Sequence, residues 1–256
     1  MIDKFDNRVG IVTGAAGGIG SAIVERLVDL GMRVALVDVD DEALSELASS
    51  VSRPEQCFTY VADVSNHKDV DSLAIRVVQD LATPSLLVNN AGRMGPHDKK
   101  IWEFSNDDWE GVFSVNLFGT INTVRAFLPG MRAASQPSHI VNVGSAMWAV
   151  GFLGAYAASK RALGAYTETL ELELIAEGAS VGVSLVCPGS VQTNLNRQLR
   201  DSGLAHSSPS DWQKPSAVAD GVIDAARSGR FYVFTDAERA MARTEKYQQR
   251  VMAAFS

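Results

Sequence analysis

Short apolar runs alternate along this chain with longer stretches in which hydrophobic residues return every three or four positions. Residues 8–13 form a continuous apolar run that predicts a buried strand, and from about Gly18 the residues Ile23, Val24, Leu27 and Leu30 recur at helical spacing. The alternation then repeats. Further strands are predicted over 32–37, 57–62, 85–88, 139–143, 180–187 and 231–235, and helices over 42–50, 66–81, 105–132, 154–177, 216–228 and 237–254. Strands separated by helices argue for an α/β fold, a parallel sheet with right-handed crossovers and helices on both faces.

Several segments depart from that rhythm. The segment 105–132 is predicted as one long helix interrupted near Pro129, and its apolar residues cover most of its circumference, which implies burial on two sides, in the sheet and in another subunit. The helix over 154–177 carries many small residues, Ala155, Ala157, Ala158, Ser159, Ala162, Gly164 and Ala165, and suggests a second interface. The polar stretch from about 190 to 214 is long for a connection and is expected to be a substrate lid. With no linker and no further repeat, residues 1–256 read as one domain that ends in a charged tail helix.

Composition narrows the function classes. Hydrophobic residues make up 46% of the chain, enough for a substantial core, and the net charge of −7 argues against nucleic acid or an anionic membrane as partner. The opening residues are charged and no apolar run approaches membrane length, so a cytoplasmic location is expected. Cys57 and Cys187 each stand alone in strand-like sequence and read as reduced core residues. The four histidines, His67, His97, His139 and His206, have no ligand spacing, so no metal site is expected.

The candidate chemistry collects where strands end. Thr13-Gly14-Ala15-Ala16-Gly17-Gly18-Ile19-Gly20 makes a strand, glycine loop and helix start, a unit whose free N–H groups suit a pyrophosphate, although glycine turns also serve tight packing alone. Asp38 ends the second strand 18 residues beyond Gly20, where a dinucleotide fold sets the acid that bonds the adenosine ribose. With Asp40 and Asp41 following and no basic residue nearby, a 2′-phosphate would be repelled, so NAD is favoured over NADP; Asp40 or Asp41 is also suited to cap the next helix. Asp63-Val64 either meets the adenine edge or starts a turn. Asn89-Asn90-Ala91-Gly92 suits a strained turn at the carboxyl edge, and Asn116, a polar residue among hydrophobes, reads from composition as a structural asparagine.

The fifth strand delivers Ser145 to the same edge, and Tyr156 and Lys160 follow four residues apart on one helix face. A cation about 4 Å from a phenol, at an effective dielectric near 20, contributes about 4 kcal/mol, which would lower its pKa by about three units. Taken alone, such a pair is more often an ordinary amphipathic face.

Five landmarks in one order change that weighting: Thr13-Gly14-x-x-x-Gly18-x-Gly20, Asn89-Asn90-Ala91-Gly92, Ser145, Tyr156-x-x-x-Lys160 and Pro188-Gly189-x-Val191-x-Thr193. Together they resemble the short-chain dehydrogenase/reductase family over nearly the whole chain. The resemblance implies a three-layer, doubly wound Rossmann-like sheet of order 3-2-1-4-5-6-7 and NAD(H)-dependent hydride transfer to or from a secondary alcohol or ketone. It also implies Tyr156 as general acid/base, Lys160 lowering its pKa and binding the nicotinamide ribose, Ser145 on the substrate oxygen and Asn116 holding a water in the proton path. Asn89 would support the sheet. Gly14, Gly18, Ile19, Gly20, Asp38, Asp63, Val64, Asn90, Ala91 and Gly92 would hold the dinucleotide, with Pro188, Gly189, Val191 and Thr193 over the nicotinamide.

The span between Ser145 and Tyr156 is 11 positions, about two fewer than in many members. A non-catalytic dinucleotide sensor is the competing reading, but such proteins typically lose the tyrosine or lysine kept here. Met94, Met147, Trp148, Phe152, Leu195 and Trp212 lie on loops expected at the carboxyl edge and suggest an apolar, bulky substrate. A homotetramer or homodimer is the family expectation.

Overall fold

A computed structural model describes residues 1–146, 154–194, 197 and 208–255. Seven strands form a single parallel sheet: β1 (Val9–Thr13), β2 (Arg33–Asp38), β3 (Cys57–Val61), β4 (Leu86–Asn89), β5 (Ser138–Val143), β6 (Val181–Cys187) and β7 (Tyr232–Phe234). Their order is β3-β2-β1-β4-β5-β6-β7, as the resemblance implies. Each strand alternates its side chains between two cores. Val12, Val34, Leu36, Val88 and Val141 face the layer built by α1 (Gly18–Asp29), α2 (Asp41–Ser50) and α7 (Pro215–Ser228). Ile11, Ala35, Val37, Leu87 and Ile140 face α3 (His67–Asp80), α5 (Thr120–Ala133) and α6 (Gly154–Ala176). Two buried faces are why the central strands read as continuous apolar runs rather than as alternating ones.

The topology fixes where chemistry can occur. Strand order reverses between β1 and β4, and the loops leaving the carboxyl ends of these strands part to opposite sides of the sheet, which opens a crevice. Two glycines make the loop after β1 possible. Gly14 has φ +62°, and a Cβ there would stand 2.8 Å from the Ala91 Cα; a Cβ on Gly20 would stand 2.0 Å from the Gly14 carbonyl oxygen. No side chain fits at either position, so α1 can start directly against the loop.

The predicted helix over 105–132 is corrected by the structure. It is α4 (Asn106–Phe113), a π-helical segment (Ser114–Gly119) and α5, and the chain stays helical through Pro129 to Ala133. The irregularity falls 10 to 15 residues before the proline, for a tertiary reason. Gly119 lies so close to β3's exit that a Cβ would meet Val64 Cγ2 at 2.7 Å, and Asn116 turns inward onto the loop after β4. Widened turns of this kind re-aim side chains, frequently at functional sites. The tail helix α8 (Ala237–Met252) is present, capped by Asp236, whose Oδ1 accepts the Arg239 N–H at 3.4 Å.

The expected lid is described only at its two ends. Val191 bridges Gln213, with Gln192 N–H donating to Gln213 O at 2.9 Å and Gln213 N–H to Ser190 O at 2.8 Å, so both ends are tied to each other. Among the described residues no helix is long and apolar enough to cross a membrane, no cluster of His, Cys, Asp or Glu could hold a metal, and both cysteines are free thiols.

Candidate active site

At the carboxyl edge the described residues enclose a cleft of about 600 Å³ running from the end of β3 to the start of α8. Its wall near β1 is held by hydrogen bonds between side chains and the loop backbone. The Thr13 hydroxyl oxygen accepts the N–H groups of Asn90 and Ala91, each at 3.1 Å, and Asn90 Nδ2 donates to the carbonyls of Thr13 and Gly14, each at 3.0 Å. The loops after β1 and β4 are thereby one unit. Asp38 adds a third tie: Oδ2 accepts the Ala16 N–H at 3.1 Å and Oδ1 the Val39 N–H at 2.8 Å, while its carboxylate borders the cleft. Asp40 caps α2 by accepting the Ala43 N–H at 3.0 Å, one of the two acids that the sequence offers for that task. Asp63 fixes the turn, accepting from Ser65 N–H at 2.9 Å and Ser65 Oγ at 2.7 Å, and it also borders the cleft.

This wall fits a dinucleotide. It offers a glycine loop at the start of a 12-residue helix, a close approach that a Cβ would close, and, among the described residues, no cation beside Asp38 to receive a 2′-phosphate. Gly14, Gly18, Ile19, Gly20, Asp38, Asp63, Val64, Asn90, Ala91, Gly92, Pro188, Gly189, Val191 and Thr193 all border the cleft, and Gly18 faces the Thr193 methyl, 3.4 Å from where a Cβ would sit. The two sides of the crevice therefore meet around one volume.

On the β5 to β7 side, Ser145, Tyr156 and Lys160 come together. The Ser145 hydroxyl hydrogen-bonds the Tyr156 phenol, so the 11-residue span does reach. Lys160 is 5% exposed; its Nζ donates to the Val143 carbonyl at 2.8 Å and stands 5.9 Å from the centre of the Tyr156 ring. The electrostatics differ from the sequence expectation. Burial raises the Tyr156 pKa above that of a free phenol; the Ser145 bond opposes this, and Cys187 adds to it. Burial also brings Lys160 down to about 8. The simple picture of a cation in contact with a phenol fails because the ammonium is turned onto a backbone carbonyl and is itself desolvated.

Asn116, expected to hold a water in the proton path, lies in the π-helical segment. It is fully buried behind the cleft, and its side-chain amide is engaged: Oδ1 accepts the Arg93 N–H at 2.7 Å, and Nδ2 donates to Arg93 O and Ser159 Oγ, each at 3.0 Å. Ser159 Oγ in turn donates to the Tyr156 carbonyl at 2.8 Å. The amide thus pins the loop after β4 to the first turn of α6. Asn89 supports the sheet as expected, through Asn89 Nδ2 to Asn142 Oδ1 at 2.9 Å, with Thr123 donating to Asn89 Oδ1 at 2.6 Å and Asn142 Nδ2 to Thr167 at 3.0 Å.

Of the substrate candidates, Met94 and Trp212 border the cleft, Trp212 at 7% exposure, while Met147, Trp148, Phe152 and Leu195 lie outside the described residues. Sequence reasoning missed Thr13, Arg93, Ser159 and Arg243. Ser159 carried a signal, since it sits within Tyr-x-x-x-Lys; Arg243 carried none, as one arginine in a helix charged along its length.

The short chain dehydrogenase family model matches residues 8–203. A 1-deoxy-11-beta-hydroxypentalenate dehydrogenase of Streptomyces avermitilis is 34% identical over 231 residues, which cover 89% of this chain and 84% of that protein. A CLA biosynthesis dehydrogenase/reductase of Lactiplantibacillus plantarum is 30% identical over 258 residues, 91% of this chain and 90% of its own. A short chain dehydrogenase/reductase of Burkholderia phymatum, solved in complex with NAD, superposes with a TM-score of 0.84 at 31% identity, covering 97% of each chain.

Proposed function

Because this chain belongs to the short-chain dehydrogenase/reductase family, an oxidoreductase family that binds a nicotinamide dinucleotide, we propose that it oxidises a secondary alcohol or reduces the corresponding ketone with NAD(H). The observation that carries the reading is the convergence of Ser145, Tyr156 and Lys160 on one cleft, with the Ser145 hydroxyl already bonded to the phenol. The cofactor would lie along the glycine loop, with Asp38 at the adenosine ribose, Asp63 and Val64 at adenine, and Pro188 to Thr193 beside the nicotinamide. It would supply the hydride acceptor or donor.

Within that frame the roles divide by chemistry. Ser145 Oγ bonds the substrate oxygen and fixes its direction. Tyr156 Oη takes the hydroxyl proton in oxidation and returns it in reduction, and Lys160 Nζ offers the nearby positive charge that favours the phenolate. Asn116 and Ser159 are positioning residues, because they hold the turn that carries Tyr156. NAD preference is supported by the Asp38 carboxylate and by the NAD in the Burkholderia neighbour.

Tyr156→Phe, which keeps the ring and removes the oxygen, is expected to lower kcat by about 10²- to 10⁴-fold while NADH still binds. A variant that keeps most of its turnover on a panel of secondary alcohols and ketones would end this mechanism.

We place the protein in the cytoplasm and expect a homodimer or homotetramer. Phe118, Leu172 and Ile175, on the helices whose sequence suggested interfaces, are 53%, 65% and 66% exposed in the single chain. Sedimentation as a monomer at micromolar concentration would refute the assembly.

A further inference from the structure

Among the described residues the charged groups bordering the cleft are the acids Asp38, which ends β2, and Asp63, which follows β3, and the cations Arg93, Lys160 and Arg243. Lys160 is held by the Val143 carbonyl. Among the described residues Arg243 Nη1 has no such partner. It projects from the second turn of α8, one turn beyond Arg239 and on the same face. Arg239 engages both nearby carboxylates, with Nη2 3.1 Å from Asp211 Oδ2 and Nε 3.8 Å from Asp236 Oδ2. Among the described residues Arg243 pairs with neither, and its Nη1 is buried without a hydrogen-bond acceptor. Burial lowers its pKa; Arg239 adds to this, and Asp236 opposes it.

A desolvated guanidinium nitrogen with no acceptor is costly, and natural sequences retain one where something else supplies the acceptor. Here the residue borders the cleft. We propose that Arg243 is the anion-recognition residue of the substrate end, and that the substrate is a secondary alcohol or ketone bearing a carboxylate. The planar fork of a guanidinium matches a carboxylate in two parallel bonds, and Met94 and Trp212 offer apolar surface on the same cleft for the hydrocarbon body. The hydroxyl half of this assignment rests on the oxidoreductase reading above; the carboxylate half rests on Arg243. The cofactor's pyrophosphate is the other anion that could enter the cleft. The position of α8 favours the substrate, because Asp236 and Arg239, which begin the helix, pack against Gly189 and Asp211 beside Trp212 rather than against the glycine loop.

The test is equilibrium binding to the full chain, read by tryptophan fluorescence with and without NADH. Octanoate, benzoate and cholate are each compared with their methyl esters. At least one acid is expected to bind more than about tenfold tighter than its ester, with added salt weakening only the acid. Arg243→Met should bring that acid to the level of its ester, and Arg243→Lys should restore part of the preference, which guards against a folding loss. The NADH dissociation constant should stay within about twofold throughout.

Equal binding of every acid and ester, or a preference that survives Arg243→Met, overturns the proposal. So does a large loss of NADH affinity with the acid preference intact, which would assign the guanidinium to the pyrophosphate. Acid binding is read without turnover. Failure of the Tyr156 experiment would therefore remove hydride transfer and leave the carboxylate site standing, and the converse also holds.

Discussion

On the β1 to β3 side of the cleft the groups that face a ligand are mostly main chain: the loop at Gly14 to Gly20, tied down by Thr13, Asn90 and Asp38. On the β5 to β7 side they are side chains, Ser145, Tyr156, Lys160 and Arg243, which reach one volume from three separate parts of the chain. The difference is one of materials. A backbone-built surface depends on a few positions where any side chain would collide. A side-chain-built surface depends on which atoms remain unpaired after packing, and on how far each has been desolvated. The first is rigid, local and indifferent to pH; the second is distributed and titratable.

The largest test of this contrast is Gly20→Ala. A single methyl 2.0 Å from the Gly14 carbonyl oxygen forces the loop away from the start of α1, so the N–H groups lose their shared aim. We expect dinucleotide affinity to fall by more than about 100-fold, about 2.7 kcal/mol, while the carboxylate preference assigned to Arg243 persists. Titration of both ligands into the same variant measures this. Loss of both together would mean that the two halves are one cooperative unit.

The second test uses the titratable half. Burial holds the Tyr156 phenol above its ordinary pKa, so the phenolate needed to accept a proton is a minor form at neutral pH. Its fraction grows up to about tenfold per pH unit as pH rises, and kcat/KM for alcohol oxidation should climb accordingly. The climb should flatten above about pH 8, where Lys160 gives up its proton and its charge. Ketone reduction uses the phenol form and should not share the rise. NADH affinity, which in the proposed function is carried largely by backbone N–H groups, should change little over the same range. An oxidation rate flat from pH 6 to 8, with chemistry shown to limit turnover, would contradict the assignment.

The contrast also explains what could be read in the chain before its fold. The alternation of strands and helices, the glycine loop, the capping aspartate and the Tyr156-Lys160 pair were legible because each follows from local spacing or from one residue's conformational needs, while the strand order came only with the family resemblance. The π-helical segment was not, because its cause lies in Gly119 meeting Val64 and Asn116 meeting Arg93, contacts between segments far apart in sequence. Pro129 drew the expected break to itself, yet the helix runs through it. Asn116 was identified as a residue of note, but its side-chain bonds emerge only once Ser159 and the loop after β4 are seen against it. The direction of the Tyr156 shift failed for a related reason: helical spacing brings a lysine near a phenol, but it reveals neither the Val143 carbonyl that captures the ammonium nor the burial of both.

The smallest expected effect concerns Asp38, where the two materials meet in one residue. Its carboxylate is a structural acceptor for Ala16 and Val39 and, in the proposed function, the group that bonds the adenosine ribose and repels a 2′-phosphate. Asp38→Asn keeps the size and one acceptor oxygen but removes the charge. NAD affinity should fall by about tenfold, about 1.4 kcal/mol, through the weaker ribose bonds, and the penalty against NADP should shrink because the repulsion is gone. Asp38→Ala also unties the glycine loop, so it should cost more NAD affinity than the asparagine variant and leave a lower melting temperature. Dissociation constants for both dinucleotides in the three proteins separate charge from scaffolding. If Asn and Ala behave alike, the loop tie is inert; if neither changes the NADP to NAD ratio, the carboxylate does not select the cofactor.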